Sequence, residues 1–154
     1  MIHRAPEPDV AIPDVALTPF LLALADRRGG QPAFIEGPTG RTLTYEGWAR
    51  ALRRTAAGLA RRGFRKGDVF AIYSPNVPEY AVVFHAVSLA GGIVTTINPL
   101  YTVDELRQQL KDARARFLIT TAMFAEKARE AGVVEEIFLF GDRKSTRLNS
   151  SHRT

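Results

Sequence analysis

Cysteine is absent from the 154-residue sequence. This absence excludes a disulfide framework, a metal site built on thiolates and a cysteine nucleophile. Long hydrophobic runs are also missing, because no stretch approaches the roughly 20 apolar residues that cross a bilayer. The start, from Met1 to Asp9, lacks the basic and then apolar order of a secretion signal. We therefore expect a cytoplasmic protein with no membrane span.

Acidic residues are the minority, with 16 aspartates and glutamates against 21 lysines and arginines, and the formal net charge is +5. Residues 142–154 carry +3 of this charge, which leaves +2 for residues 1–141. A body so close to neutral gives little support for phosphate binding, and we expect no nucleic-acid partner. The arginines of the helix predicted over residues 46–62 are interpreted as a solvated helix face rather than an anion site.

The pattern of residues divides the chain into three parts. Residues 1–17 contain Pro6, Pro8 and Pro13 and predict an extended N-terminal arm. Residues 18–141 predict one domain or part of one, with 45% apolar residues in the whole chain. This second part opens on a helix, with Thr18 as its N-cap and Pro19 as its first residue.

A β-hairpin is predicted next, because Gly37–Gly40 is turn chemistry between two short strand-like runs. Strands and helices then alternate to residue 140, and this alternation indicates repeated βαβ units. The predicted fold class is α/β: a β-hairpin plus βαβ units that form a mostly parallel sheet with helices on both faces. The strands are expected to begin near Asp68, Ile93, Arg116 and Ile137. Thr102–Glu105 fits a capping box before a helix over residues 103 to about 113, and Gly132 is expected to end a short helix over residues 122–131.

The residues alone name no catalytic, cofactor-binding or metal-binding side chain. His85 has no visible orienting partner and is interpreted as a satisfied core or boundary histidine. The glycine clusters at Gly37–Gly40 and Ala90–Gly92 lack the spacing of a phosphate loop, so turn and packing roles are expected for them. Metal-ligand spacings and a serine-nucleophile motif are missing from residues 1–141. A stand-alone α/β binding module is therefore one open interpretation.

Several segments resemble a known family. The sequence LAGGIVTTINPLYT of Leu89–Thr102, continued through Glu105-Leu106 and Phe117–Thr120, is similar to the second core motif of adenylate-forming (AMP-binding) acyl-CoA synthetases. Leu43–Glu46 resembles the first core motif, although Gly47-Trp48 stands where leucine is usual. Within this superfamily, Ile2–Arg4 and the TTINP sequence most resemble the 4-coumarate–CoA ligases.

This resemblance implies an incomplete N-terminal part of the large domain of an ATP-dependent carboxylic acid–CoA ligase. The full-length parent would use ATP, Mg²⁺ and coenzyme A to convert a small carboxylic acid to an acyl-adenylate and then to an acyl-CoA. The family's phosphate loop and catalytic lysine have no matching position in this chain. We therefore expect this chain to be inactive and to bind no cofactor. A fatty-acid–CoA ligase or another adenylating enzyme is the alternative within the superfamily.

The last segment, residues 142–154, changes character abruptly and has no apolar periodicity. It resembles the translation of a common sequencing-library adapter, and we expect it to be a non-native, disordered tail. A native basic tail that anchors the protein to nucleic acid or membrane is the competing interpretation.

Overall fold

The computed structural model describes residues 11–141 and the backbone of Leu148–Asn149. No helix within this part of the chain is long and apolar enough to cross a membrane. The helices are α1 (Leu17–Arg28), α2 (Tyr45–Arg61), α3 (Pro78–Leu89), α4 (Val103–Asp112) and α5 (Ala125–Ala131), with a 3-10 turn at Ala122–Phe124. The strands are β1 (Pro32–Ile35), β2 (Thr42–Thr44), β3 (Val69–Tyr73), β4 (Ile93–Ile97), β5 (Ala115–Thr120), β6 (Glu136–Leu139) and β7 (Leu148–Asn149).

The start of α1 differs from the prediction. The helix begins at Leu17 after Ala16, and Thr18 caps nothing. Thr18 is instead 1% exposed on the inner face of the helix, where its hydroxyl meets His85 of α3. Burial of that inner face against α3 takes the hydroxyl away from the helix end. Of the expected N-terminal arm, residues 1–10 lie outside the described part, and residues 11–16 are exposed and irregular.

The predicted hairpin is confirmed. β1 and β2 pair antiparallel, and Gly37–Gly40 forms the turn between them. The Glu36 N–H donates to the Arg41 carbonyl at 2.9 Å and closes the turn. The guanidinium of Arg41 also reaches α3, where it donates to the Glu79 carboxylate at 2.8 Å. This contact fixes the hairpin against the helical layer.

The main sheet has the strand order β4-β3-β5-β6-β7, in which β3 to β6 are parallel, as predicted. Alternating side chains of the strands serve two cores, as the two-residue period of a strand requires. On one face, Phe70 and Ile72 pack with α2 and α3. On the other face, Ala71 and Tyr73 pack with α4 and α5. A further apolar cluster joins α1 to α2 and α3.

Only some of the arginines in and just after α2 lie on the solvated face that the sequence predicts. Arg50 makes an exposed ion pair with Glu46 one turn away. Arg62, just past the helix, instead pairs with Glu136 of β6 and lies over the ring of Phe138. The sequence could not indicate this ion pair, because Glu136 lies 74 residues away along the chain.

The predicted tail, residues 142–154, lies outside the described residues except at two positions. There the backbone of Leu148 and Asn149 pairs antiparallel with Ile137 and Glu136. These two residues are an exception to the expected lack of regular structure. For the rest of the segment, the expectation stays a prediction.

Candidate functional site at the carboxyl edge of the sheet

The topology selects one edge of the sheet as the position for a ligand. From β3 the chain crosses through α3 to β4, whereas from β5 it crosses through α5 to β6 on the other side. These two helices lie on opposite faces, so the connections diverge between the carboxyl ends of the neighbouring strands β3 and β5. In open α/β sheets, ligands bind in the crevice at such a point.

Short hydrogen bonds fix the loop that follows β4 at this edge. The buried Tyr73 hydroxyl at the end of β3 donates to the Pro99 carbonyl at 3.1 Å. The Asn98 side-chain oxygen accepts from the Leu100 N–H at 3.0 Å, which closes a tight turn. The Lys127 ammonium of α5 donates to the Tyr101 carbonyl at 2.7 Å. Asn98 and Tyr101 of the second motif therefore help to shape the connection from strand to helix.

The helix that starts from this loop is capped as the sequence predicts. The Thr102 hydroxyl accepts from the Glu105 N–H at 3.3 Å, and the Glu105 carboxylate accepts from the Thr102 N–H at 2.8 Å. The two groups form a capping box. The hydrogen bond from the Thr102 backbone, followed by that from its hydroxyl, holds the pKa of Glu105 below its usual range. The carboxylate form is thus favoured at the start of α4.

The end of β5 completes the edge with neutral and apolar groups. Thr120 is fully buried, and its hydroxyl has no hydrogen-bond partner among the described residues. Phe124 of the following turn contacts Tyr73, with ring centroids 5.4 Å apart. Leu100 and Met123, which neighbour these contacts on their two loops, are each 83% exposed. The edge supplies shape and hydrogen bonds, but its described residues bring together no acid–base pair and no activated nucleophile.

We tested whether the described residues fit the groups that the resemblance implies. They include no group of three or more His, Asp or Glu side chains arranged to hold a metal ion. Gly37–Gly40 is an exposed hairpin turn, and a Cβ on Gly92 would overlap the ring of Phe64. The glycines thus serve turns and close packing, as predicted. The described residues thus offer neither such a metal site nor a glycine-rich phosphate loop, and we derive no reaction step through MgATP or coenzyme A.

His85 has a partner that the sequence did not reveal. Its Nδ1 lies 3.0 Å from the Thr18 hydroxyl, and its ring meets the Trp48 indole edge-on at 5.4 Å between centroids. Burial lowers its pKa. The interpretation as a satisfied boundary histidine is confirmed. Thr18 was missed because it was assigned to the helix cap.

A cluster of three charged groups lies at the opposite, amino edge of the sheet. The guanidinium of Arg116 donates to the carboxylates of Glu135 at 2.7 Å and Asp68 at 2.8 Å, and to the Gly63 carbonyl at 3.1 Å. The Asp68 carboxylate also accepts from the Arg65 N–H at 2.7 Å. One guanidinium is shared by two carboxylates, so this cluster links the amino end of β5 to Asp68, just before β3, and to Glu135, just before β6.

Comparison of the sequence with known protein families shows which family the chain belongs to. Residues 22–151 match the model of the family described as "AMP-binding enzyme", which is most of the chain and extends past Gly141. The chain belongs to the AMP-binding enzyme family. As a member of this family it has curated relatives that are named 4-coumarate–CoA ligases. The ligase 3 of Oryza sativa subsp. japonica is 38% identical over 131 residues, which cover 84% of this chain and 24% of the relative.

The other relatives of this AMP-binding chain show the same proportions. The 4-coumarate–CoA ligase-like 1 of Arabidopsis thaliana is 34% identical over 144 residues and covers 93% of this chain and 26% of the relative. The chain thus spans about a quarter of the length of the curated relatives it matches. Among solved structures, a long-chain-fatty-acid–CoA ligase of Archaeoglobus fulgidus superposes with a TM-score of 0.83 at 24% identity, over 92% of this chain and 30% of that structure.

A benzoate–CoA ligase of Burkholderia xenovorans LB400 superposes with a TM-score of 0.72 at 23% identity, over 76% of this chain and 24% of that structure. At these identities the superpositions establish the fold alone. They show that the arrangement of the β-hairpin, the helices and the parallel sheet is that of adenylate-forming enzymes.

Proposed function

We propose that this AMP-binding chain is part of an ATP-dependent, AMP-forming carboxylic acid–CoA ligase, and that the parent enzyme acts on an aromatic acid of the 4-coumarate type. The observation that carries the proposal is the family match over residues 22–151. Identities of 34–38% to relatives named 4-coumarate–CoA ligases or ligase-like support the aromatic substrate. In the proposed parent enzyme, residues other than those of this chain would bind ATP, Mg²⁺ and coenzyme A.

In this proposal the described residues act as a scaffold. β3 and β5 place their carboxyl ends side by side, and Tyr73 ties the loop after β4 to that edge. Thr102 and Glu105 then start α4 at a fixed point. Such preorganised loops on a rigid sheet are the usual way in which α/β enzymes position a ligand.

The test is an assay of the full-length gene product. We expect pyrophosphate release that depends on both ATP and 4-coumarate, and thioester formation when coenzyme A is added. Benzoate and a long-chain fatty acid serve as the comparison substrates. A clear preference for the fatty acid would contradict the aromatic substrate but keep the ligase, and no acid-dependent pyrophosphate release would contradict the ligase itself.

The 154-residue chain alone is proposed to be inactive, since it has no residue matched to the phosphate loop or the catalytic lysine. Pyrophosphate release with any of the three acids should equal the control without protein. Release above that control would show that catalytic groups lie within this chain.

We also propose the domain limits: an arm over residues 1–17, a partial domain over 18–141 and a non-native segment over 142–154. Resequencing the locus from independent DNA should replace the last segment with sequence that continues toward a phosphate loop. Truncation after Gly141 should leave the fold of the preceding βαβ units unchanged and lower the net charge by three, from +5 to +2. Recovery of the same thirteen codons and a stop would contradict the third limit and favour the binding module.

A further inference from the structure

Three helices meet at one imidazole in the helical layer. Thr18 of α1 contributes the hydroxyl that lies 3.0 Å from Nδ1 of His85 on α3. Trp48 of α2 meets the same ring edge-on, and Phe84 meets it at 5.2 Å between centroids. Thr18 and Trp48 are 1% and 4% exposed, so these two partners of the imidazole are buried and uncharged.

Protonation of this ring would place a positive charge among neutral, buried partners. The Thr18 hydroxyl can rotate to accept a hydrogen bond from Nδ1–H, but no carboxylate is among the groups that the structure shows in contact with the imidazole. Burial lowers the pKa of His85, so the docked helices favour the neutral ring. Acid therefore works against the contact between α1 and α3.

The two ends of α1 are held by different kinds of contact. At its carboxyl end, the Glu46 N–H donates to the Gly29 carbonyl at 2.8 Å, and Arg53 of α2 pairs with Asp26 at 3.2 Å. At its amino end, the polar contact is the one between Thr18 and His85, and the neighbouring Leu17 is exposed. Loss of that contact would loosen the amino-terminal half and leave the carboxyl end attached.

We propose that His85 is an acid-sensitive latch that holds the amino-terminal half of α1 against α2 and α3. Protonation of the imidazole releases this half-helix, while the end at Gly29 stays in place. In the released state the ring is solvated and binds its proton more tightly. As the pH falls between the pKa of the imidazole in the released state and its lower pKa in the docked state, the released fraction rises by up to about tenfold per pH unit.

Several other titratable groups along these helices have partners of their own. Asp26 of α1 pairs with Arg53 of α2, and Glu79 of α3 pairs with Arg41 of the hairpin. Arg28 of α1 lies over the ring of Tyr45. A response that came from the ion pair of Asp26 rather than from His85 would disappear in an Asp26→Asn variant, and this variant is the matched control.

The experiment uses the full chain with His3→Asn and His152→Asn, which leaves His85 as the one remaining histidine of the three in the sequence. Hydrogen exchange of the Phe20, Leu21 and Leu22 amides, corrected for the intrinsic effect of pH, should increase about threefold or more between pH 7.5 and 5.5. Residues 103–112 of α4 should not respond. Trp48, the only tryptophan, should change its fluorescence with the same midpoint.

The variants decide the assignment. His85→Asn keeps a possible acceptor for Thr18 but cannot titrate in this range, so its α1 exchange should be flat, whereas Asp26→Asn should retain the acid response. An equal response in His85→Asn, or a flat response in the parent chain, overturns the proposal. If His85→Asn does not fold, the parent chain still decides, because midpoints of exchange and Trp48 fluorescence that differ by more than about half a pH unit overturn it as well.

Discussion

The two edges of the sheet are built in opposite ways. At the amino edge, Arg116 joins Asp68 and Glu135 in an ionic cluster, and Gly92 lets the backbone pack directly on Phe64. At the carboxyl edge, the hydrogen bonds of Tyr73, Lys127 and Glu105 to loop backbone fix short loops, and Leu100 and Met123 remain exposed. Ion pairs around one arginine thus hold the amino edge, whereas hydrogen bonds to the loop backbone shape the edge at which α/β proteins bind ligands.

The largest loss of stability is expected when a buried side chain is removed from the carboxyl edge. Tyr73 is fully buried, and Tyr73→Ala should lower the free energy of unfolding by about 3–5 kcal/mol. Tyr73→Phe removes only the hydrogen bond to Pro99 and should lower it by about 0.5–1.5 kcal/mol. Urea denaturation measures both values. Equal losses in the two variants would show that the hydroxyl, rather than the ring, holds this edge.

A larger side chain at the amino edge is expected to destabilise the fold through overpacking. In Gly92→Ala, the new methyl group would overlap the buried ring of Phe64 and lie 3.0 Å from the Asp68 carbonyl oxygen. We expect a loss of about 1–3 kcal/mol by urea denaturation. Gly58→Ala, on α2, is the control, because a Cβ there meets nothing within 4 Å. A loss in Gly58→Ala as large as in Gly92→Ala would argue against close packing as the cause.

Salt should change the stability contributed by the amino edge but not that of the Tyr73 hydrogen bond, because the amino edge depends on ion pairs and this hydrogen bond does not. Arg116→Met keeps much of the contact with Phe117 but removes both ion pairs, and we expect a loss of about 1 kcal/mol at low salt. At about 1 M salt, where the screening length is about 3 Å, this loss should shrink. The loss in Tyr73→Phe should stay the same. A salt-independent effect of Arg116→Met would mean that packing, not charge, closes the amino edge.

The smallest effect concerns pH at the carboxyl edge. The folded state lowers the pKa of Glu105 through its bonds to Thr102, so its stabilising contribution is present above the unfolded pKa. That contribution is lost as the pH falls through the folded value. Glu105→Gln keeps a capping oxygen, and below the ordinary glutamate pKa of 4.5 hydrogen exchange in α4 of this variant should be less sensitive to acid than in the parent. Identical acid profiles for the two chains would rule out the carboxylate as the source.

Local chemistry was readable from the sequence. The glycine-rich turn of the hairpin, the capping box at Thr102 and the end of α5 at Gly132, whose φ is +66°, depend on neighbouring residues and were all predicted. The parallel sheet followed from the alternation of strands and helices. The family motif located the loop after β4, which Asn98 and Tyr73 hold in place.

Contacts between distant residues could not be read in the same way. The bond between Thr18 and His85 spans 67 residues, and that between Arg116 and Gly63 spans 53. Each depends on the strand order and on which helix covers which face, neither of which a local pattern determines. Thr18 shows the consequence, since a hydroxyl beside a proline indicates a helix cap until the buried face is known.

The position of β3 has a consequence for synthesis of the chain. β3 is the first strand of the main sheet to be made, yet it pairs on both sides with strands made later. When a ribosome has released the chain as far as Asp112, β3 can already pair with β4 under the cover of α2 and α3. Its other edge stays open until β5 emerges, with Phe70 and Ile72 still missing the neighbours that β5 supplies. During that interval the nascent chain carries an unpaired apolar strand edge, which is the kind of surface that chaperones cover.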